Sequence, residues 1–155
     1  MFSIIAAIGK NNALGKNNDL IFHIEEDMKF FRATTVGHKV VMGRNTWQSL
    51  PKKLKGRENI VVSSNKIKGA DKTISNLEAF IKDNLDTPEE IFIIGGGSIY
   101  EQFLPYAKNL YLTEVNVSPE ADIFFPRFDK KRYHRKTLQT GEQYDLTYKI
   151  IKYSK

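Results

Sequence analysis

Five short runs of this chain are apolar at consecutive positions rather than alternating ones: 2–8 (FSIIAAI), 39–42 (KVVM), 59–64 (NIVVSS), 90–94 (EIFII) and 109–115 (NLYLTEV). They are rich in β-branched residues and bounded by turn formers, so they read as strands. Apolarity on successive positions means burial on both faces, which is the condition of a parallel sheet covered by helices. Helical patterns fall between the runs, at 25–35, 44–50, 77–84 and 98–104. Leu77, Phe80 and Ile81 carry the spacing of one helix face, and Pro105 lies where the last helix stops. The tail differs. Residues 132–139 and 146–153 alternate, and a turn is expected around Gly141, giving an antiparallel hairpin at the sheet edge. The pattern as a whole is one α/β domain with a mostly parallel sheet over residues 1–155.

A chain of 155 residues is long enough to bury a real core. It has no cysteine, which excludes disulfides and thiolate metal sites and fits a reducing compartment. No metal site is expected. The start, MFSIIAAIGK, has no basic leader region and is too short to span a bilayer, so the expectation is a cytoplasmic protein without a membrane partner. The net charge of +6 admits nucleic acid or a small polyanion as partner. The cations are scattered, at Lys52, Lys53, Lys55 and Arg57, then Lys130, Lys131, Arg132, Arg135 and Lys136. Without aromatic interleaving they read as a solvated surface, and no nucleic-acid partner is expected.

Three strand ends suit phosphate. A buried run ends at Ile94, passes through Gly95, Gly96 and Gly97, and enters a helix. Glycines there allow close backbone approach, and the helix start offers free N–H groups to an anion. The spacing is not GxGxxG, and a turn that merely packs is the competing reading. The run 39–42 ends at Gly43, followed by Arg44, Asn45 and Thr46, and the run 59–64 ends in Ser63 and Ser64. Ligands of open α/β sheets bind outside the carboxyl ends of the strands, so three such ends together suggest a dinucleotide. Trp47 reads as core rather than as a stacking platform.

The stretch LIFHIEEDMKFF places Glu25, Glu26 and Asp27 in a row. On a helical wheel with Ile24 at zero, Asp27 falls at about 300°, between Phe31 at about 340° and Phe30 at about 240°. Glu25 and Glu26 fall at about 100° and 200°, on either side of Lys29, on the polar face. Asp27 alone is flanked by apolar residues. A carboxylate so placed needs a cation or several donors. It either reads a cationic ligand or is satisfied by a hydroxyl such as that of Thr113, and the residues leave both open.

Taken in order, the segments IAAIGKNNALG, EEDMKFF, VMGRNTWQSL, LKGRENIVVSS, IIGGGSIYEQFLP, YLTEV and ADIFFP resemble the bacterial dihydrofolate reductases. The resemblance implies a central mostly parallel eight-stranded sheet with an antiparallel C-terminal hairpin and about four helices. It implies NADPH-dependent reduction of 7,8-dihydrofolate to tetrahydrofolate by a monomer. Asp27 then holds the pterin and favours protonation at N5, bonded by Thr113, with Phe22 beside the reaction centre. Ile5, Met28, Phe31 and Leu50 line the substrate pocket. Arg57 holds the substrate's α-carboxylate, and Arg32 and Lys52 lie on the path of its tail. Ala7, Leu14, Gly15, Asp19 and Leu20 match the lid over the nicotinamide. Ile94, Gly95, Gly96, Gly97, Ser98, Ile99, Tyr100 and Gln102 match the pyrophosphate turn, with a cis Gly95–Gly96 peptide. Gly43, Arg44, Asn45, Thr46, Ser63 and Ser64 match the adenosine end and its 2′-phosphate.

The chain departs from the family where it has Ile21-Phe22 in place of Pro-Trp and Glu25 in place of Pro. Phe22 keeps a ring but has no donor, and the loss of proline removes a fixed φ. An active enzyme with altered loop dynamics and lower turnover is expected. Competing readings are the riboflavin-biosynthesis reductases, which Asp27 argues against, a nucleic-acid module, and a catalytically dead NADPH binder.

Overall fold

The most apolar run becomes the middle of the sheet. In a computed structural model describing residues 1–17 and 19–155, β1 is Phe2–Ile8, held in parallel between β7 (Ile91–Gly95) and β8 (Ala107–Val115). Beyond β7 follow β4 (Lys39–Gly43), β5 (Glu58–Val62) and β6 (Lys72–Ile74), all parallel. Beyond β8 come β11 (Leu146–Ser154) and β10 (His134–Gln143), both antiparallel. The eight-stranded order is β10-β11-β8-β1-β7-β4-β5-β6. A small second sheet joins β3 (Asp19–Leu20), β2 (Ala13–Lys16) and β9 (Ile123–Phe124).

Both faces of the large sheet are covered, as consecutive apolarity requires. Ile4 packs into one cluster with Phe80, Ile99 and Phe103. Its neighbour Ile5 packs into another with Val40, Met42 and Phe92, against Phe30, Phe31 and Trp47. The helices α3 (Leu77–Asn84) and α4 (Gly97–Phe103) therefore lie on one side, and α1 (Glu25–Thr35) on the other. The short α2 (Arg44–Ser49) follows β4. Trp47 is partly buried against the second cluster, as its core reading expected. A 3₁₀ turn containing Pro105 ends α4.

The expected turn at Gly141 is not there. Gly141 lies inside β10, directly opposite Tyr148, and a Cβ on it would come within 2.4 Å of the Tyr148 hydroxyl oxygen. Glycine is there to leave room for a buried ring. The hairpin instead turns at Tyr144 and Asp145, with φ of 49° and 64°, between the paired residues Gln143 and Leu146. That is a two-residue turn of the mirror-image kind that matches strand twist.

Candidate active site

The site is assembled by strand ends and the helices that follow them. The strands β7, β4 and β5 are neighbours, so their ends at Gly95, Gly43 and Val62 lie side by side. The Gly95–Gly96 peptide is cis, and Gly95 has φ of 136°, a conformation that L side chains rarely adopt. A Cβ at Gly95 would sit 3.1 Å from Thr46 Oγ1, so α2 stands close against this turn. A Cβ at Gly43 would sit 3.1 Å from the Ile99 side chain, and one at Gly97 2.9 Å from Ile123. Backbone, not side chain, forms the surface between β4, β7 and β9. Ser98 is exposed, and Gln102 donates to its carbonyl at 3.2 Å, one turn along α4. Arg44, Asn45 and Ser64 are exposed and Ser63 is half-buried, with Ser63 and Ser64 in an open hollow of about 310 Å³.

On the other side of β1 stands Asp27. Asp27 lies in the first turn of α1, and the Thr113 hydroxyl on β8 donates to its carboxylate. Burial pushes the Asp27 carboxyl above its ordinary value, and the Thr113 bond pulls it partly back. Glu26 instead pairs with Lys29 at 3.2 Å in solvent. The wheel therefore sorts the three acids correctly. The hydroxyl of Tyr100 is buried and donates to the Ile5 carbonyl at 2.9 Å, tying α4 to β1. Burial, then the nearby Asp27 charge, raise the Tyr100 phenol well above its usual range.

The apolar walls are Ile5 with Phe31, Leu50 and Ile94 packed on one cluster, and Phe22 with Ala7 on the next. Phe22 is only 8% exposed, while Met28 on α1 is 53% exposed. Further along α1, Arg57 Nη1 donates to Thr35 Oγ1 at 3.1 Å, and its guanidinium lies 5.9 Å from the Phe31 ring centroid. Burial, then the neighbouring Arg32, lower its pKa. Lys52 and Arg57 share an open depression of about 830 Å³, while Arg32 is exposed on α1.

β2, which carries Leu14 and Gly15, lies between β3 and β9. Leu14 is buried and its carbonyl accepts from Ile21 N at 3.5 Å, and Leu20 is 64% exposed. The Gly15 carbonyl accepts from Asp122 N at 3.1 Å, and Asp122 Oδ2 accepts from Asn17 N at 3.0 Å. The expectation on Asp19 concerns a side chain outside the described residues. No group of three acidic or histidine side chains is placed to hold a metal among the described residues.

A sequence profile of the family described as "Dihydrofolate reductase" matches residues 1–155. The chain belongs to the dihydrofolate reductase family. It is 36% identical to the dihydrofolate reductase of Bacillus subtilis, over 100% of this chain and 95% of that one. It is 40% identical to that of Neisseria meningitidis serogroup B, over 92% and 93% of the two chains, and 42% to that of Buchnera aphidicola, over 96% and 97%. Membership in the dihydrofolate reductases implies a nicotinamide cofactor. The chain fits one: the glycine turn, packed close on Thr46 and Ile123, opens helix α4 with free backbone N–H groups, and Arg44, Asn45, Ser63 and Ser64 follow the neighbouring strand ends as donors suited to phosphates. Among the described residues no helix is long and apolar enough to cross a membrane.

Proposed function

We propose that this chain reduces 7,8-dihydrofolate to tetrahydrofolate with NADPH, and that Asp27 is the group that reads the pterin. The observation that carries this is Asp27 itself: a partly buried carboxylate bonded to one hydroxyl and to no cation among the described residues. Such a group is costly unless a ligand with paired N–H donors completes it. The pterin's N3–H and 2-amino group are such donors. A carboxyl whose pKa is raised by burial also favours a proton near the substrate's N5.

When bound, NADPH supplies the hydride that C6 of the pterin receives. The chain's residues do the rest. Gly95, Gly96 and Gly97 with Ser98 hold the pyrophosphate through backbone N–H groups, with Ile94, Ile99, Tyr100 and Gln102 shaping that turn. Gly43, Arg44, Asn45, Thr46, Ser63 and Ser64 take the adenosine end, and the Arg44 fork with two hydroxyls favours a 2′-phosphate. Ile5, Met28, Phe31 and Leu50 sandwich the substrate's flat ring and benzoyl group, and Arg57 pairs with its α-carboxylate, with Arg32 and Lys52 along the tail. Phe22, Ala7, Leu14, Gly15, Asp19 and Leu20 close over the nicotinamide and exclude water. On this reading residues 1–155 form one domain, acting as a monomer in the cytoplasm without nucleic acid.

The test is loss of the reduced nicotinamide's absorbance in the presence of dihydrofolate. Turnover that requires both ligands and prefers NADPH to NADH is expected. Folded protein without turnover rejects the reading.

A further inference from the structure

Helix α1 carries Asp27, Met28 and Phe31, yet it begins without a cap of its own. Its N-cap residue is Ile24, whose side chain accepts nothing. The first N–H groups of a helix have no intrahelical partner, and the first such bond here runs from Met28 N to the Ile24 carbonyl at 3.0 Å. The missing acceptor comes from the far end of the chain. Gln143 Oε1 accepts from Glu25 N at 2.9 Å, across 118 positions. The same amide's Nε2 donates to the His23 carbonyl at 3.3 Å.

Both ends of one side chain therefore hold residues 23–25 from outside. The side chain leaves the last residue of β10, next to the two-residue turn at Tyr144 and Asp145. Such a turn fixes where Gln143 points. Leu146, paired with Gln143 across that turn, packs against the cluster of Phe22 and Ile24. The hairpin tip thus grips the segment between Phe22 and Asp27 through an apolar contact and an amide.

We propose that Gln143 is a positioning residue for the substrate side of the site, capping α1 from the C-terminal hairpin and fixing where Asp27 and Phe31 stand. This rests on the functional reading above. Glu25 is the first residue of α1, and only a residue with an N–H can be held this way. Gln143 thereby does from a distance what a fixed φ would do locally. Among the described residues the Gln143 amide bonds only His23 and Glu25, and the phosphate-binding strand ends on β4, β5 and β7 have no part in the clamp, so losing the amide falls mainly on the substrate.

The test is a double-mutant cycle read by binary dissociation constants for dihydrofolate and for NADPH, each measured by quenching of the single tryptophan. Gln143→Leu should weaken dihydrofolate roughly three- to tenfold, as one hydrogen bond's net contribution allows, and leave NADPH within about twofold. Glu25→Pro removes the N–H and fixes φ at a helix position that tolerates proline. On that background Gln143→Leu should cost less than about twofold for dihydrofolate. Equal losses in both backgrounds, or equal losses for both ligands, overturn the proposal. A wild-type protein that binds NADPH but neither binds nor turns over dihydrofolate refutes the functional reading instead.

Discussion

The Thr113 hydroxyl on β8 donates a hydrogen bond to the Asp27 carboxylate on α1, and this bond lowers a pKa that burial raises. A donor to a carboxylate stabilises its charged form. Thr113→Val keeps the shape and removes the donor, so the Asp27 pKa should rise further. A carbon-13 NMR titration of the aspartate carboxyls checks this. An unchanged or lower value in the variant contradicts it.

The same shift fixes how Asp27 affects stability. Its folded pKa lies above the unfolded one, so the folded state binds the proton more tightly. The stability this contributes is fully present below the unfolded pKa and is lost as pH rises through the folded pKa. Asp27→Asn, which cannot ionise, should therefore gain on the wild type as pH rises from about 3 to 7, across that window. Urea unfolding at both ends of the range measures it. A gap that shrinks with rising pH has the wrong sign.

Gly141 stands against the buried ring of Tyr148, which packs beside Phe22 and Ile24. Gly141→Ala forces the ring or the strand to move. A loss of roughly 1–3 kcal/mol is expected from such overpacking. Denaturant midpoints measure it, and a variant as stable as wild type refutes the account of this glycine.

Arg44 is exposed at the start of α2, directly after Gly43, which pairs with Val62 just before Ser63 and Ser64. Arg44→Ala should weaken NADPH roughly ten- to a hundredfold, the scale of hydrogen bonds to a charged group, and leave NADH nearly unchanged. Equal losses for both cofactors place the 2′-phosphate elsewhere.

Much of this arrangement is legible in the residues, for physical reasons that also mark where legibility ends. The strands β1, β4, β5, β7 and β8 each carry enough consecutive apolar residues to announce burial on both faces. The wheel separates Asp27 from Glu25 and Glu26 because helix geometry is local. β6, whose three residues are Lys-Thr-Ile, and the two-residue strands β3 and β9 carry no periodicity to read. Gly141 misleads because a glycine marks either a turn or a close approach, and only the partner strand tells which. The turn itself falls on Tyr144, whose positive φ is uncommon for a bulky residue. The Gln143 clamp on Glu25 has no local signature, since its partners are 118 positions apart.

The most direct measurement compares hydride-transfer rates in Asp27→Asn, Glu25→Gln and Glu26→Gln by stopped flow. Of the three acids Asp27 alone is partly buried, bonded by Thr113, while Glu26 pairs with Lys29 in solvent and Glu25 is exposed. Asp27→Asn should slow transfer roughly a hundredfold or more at neutral pH, within the range of general acid–base catalysis. The two glutamine variants should stay within about twofold of wild type. An Asp27→Asn protein as fast as wild type, or a larger loss at Glu25 or Glu26, would contradict the assignment of Asp27 as the carboxylate that reads the substrate.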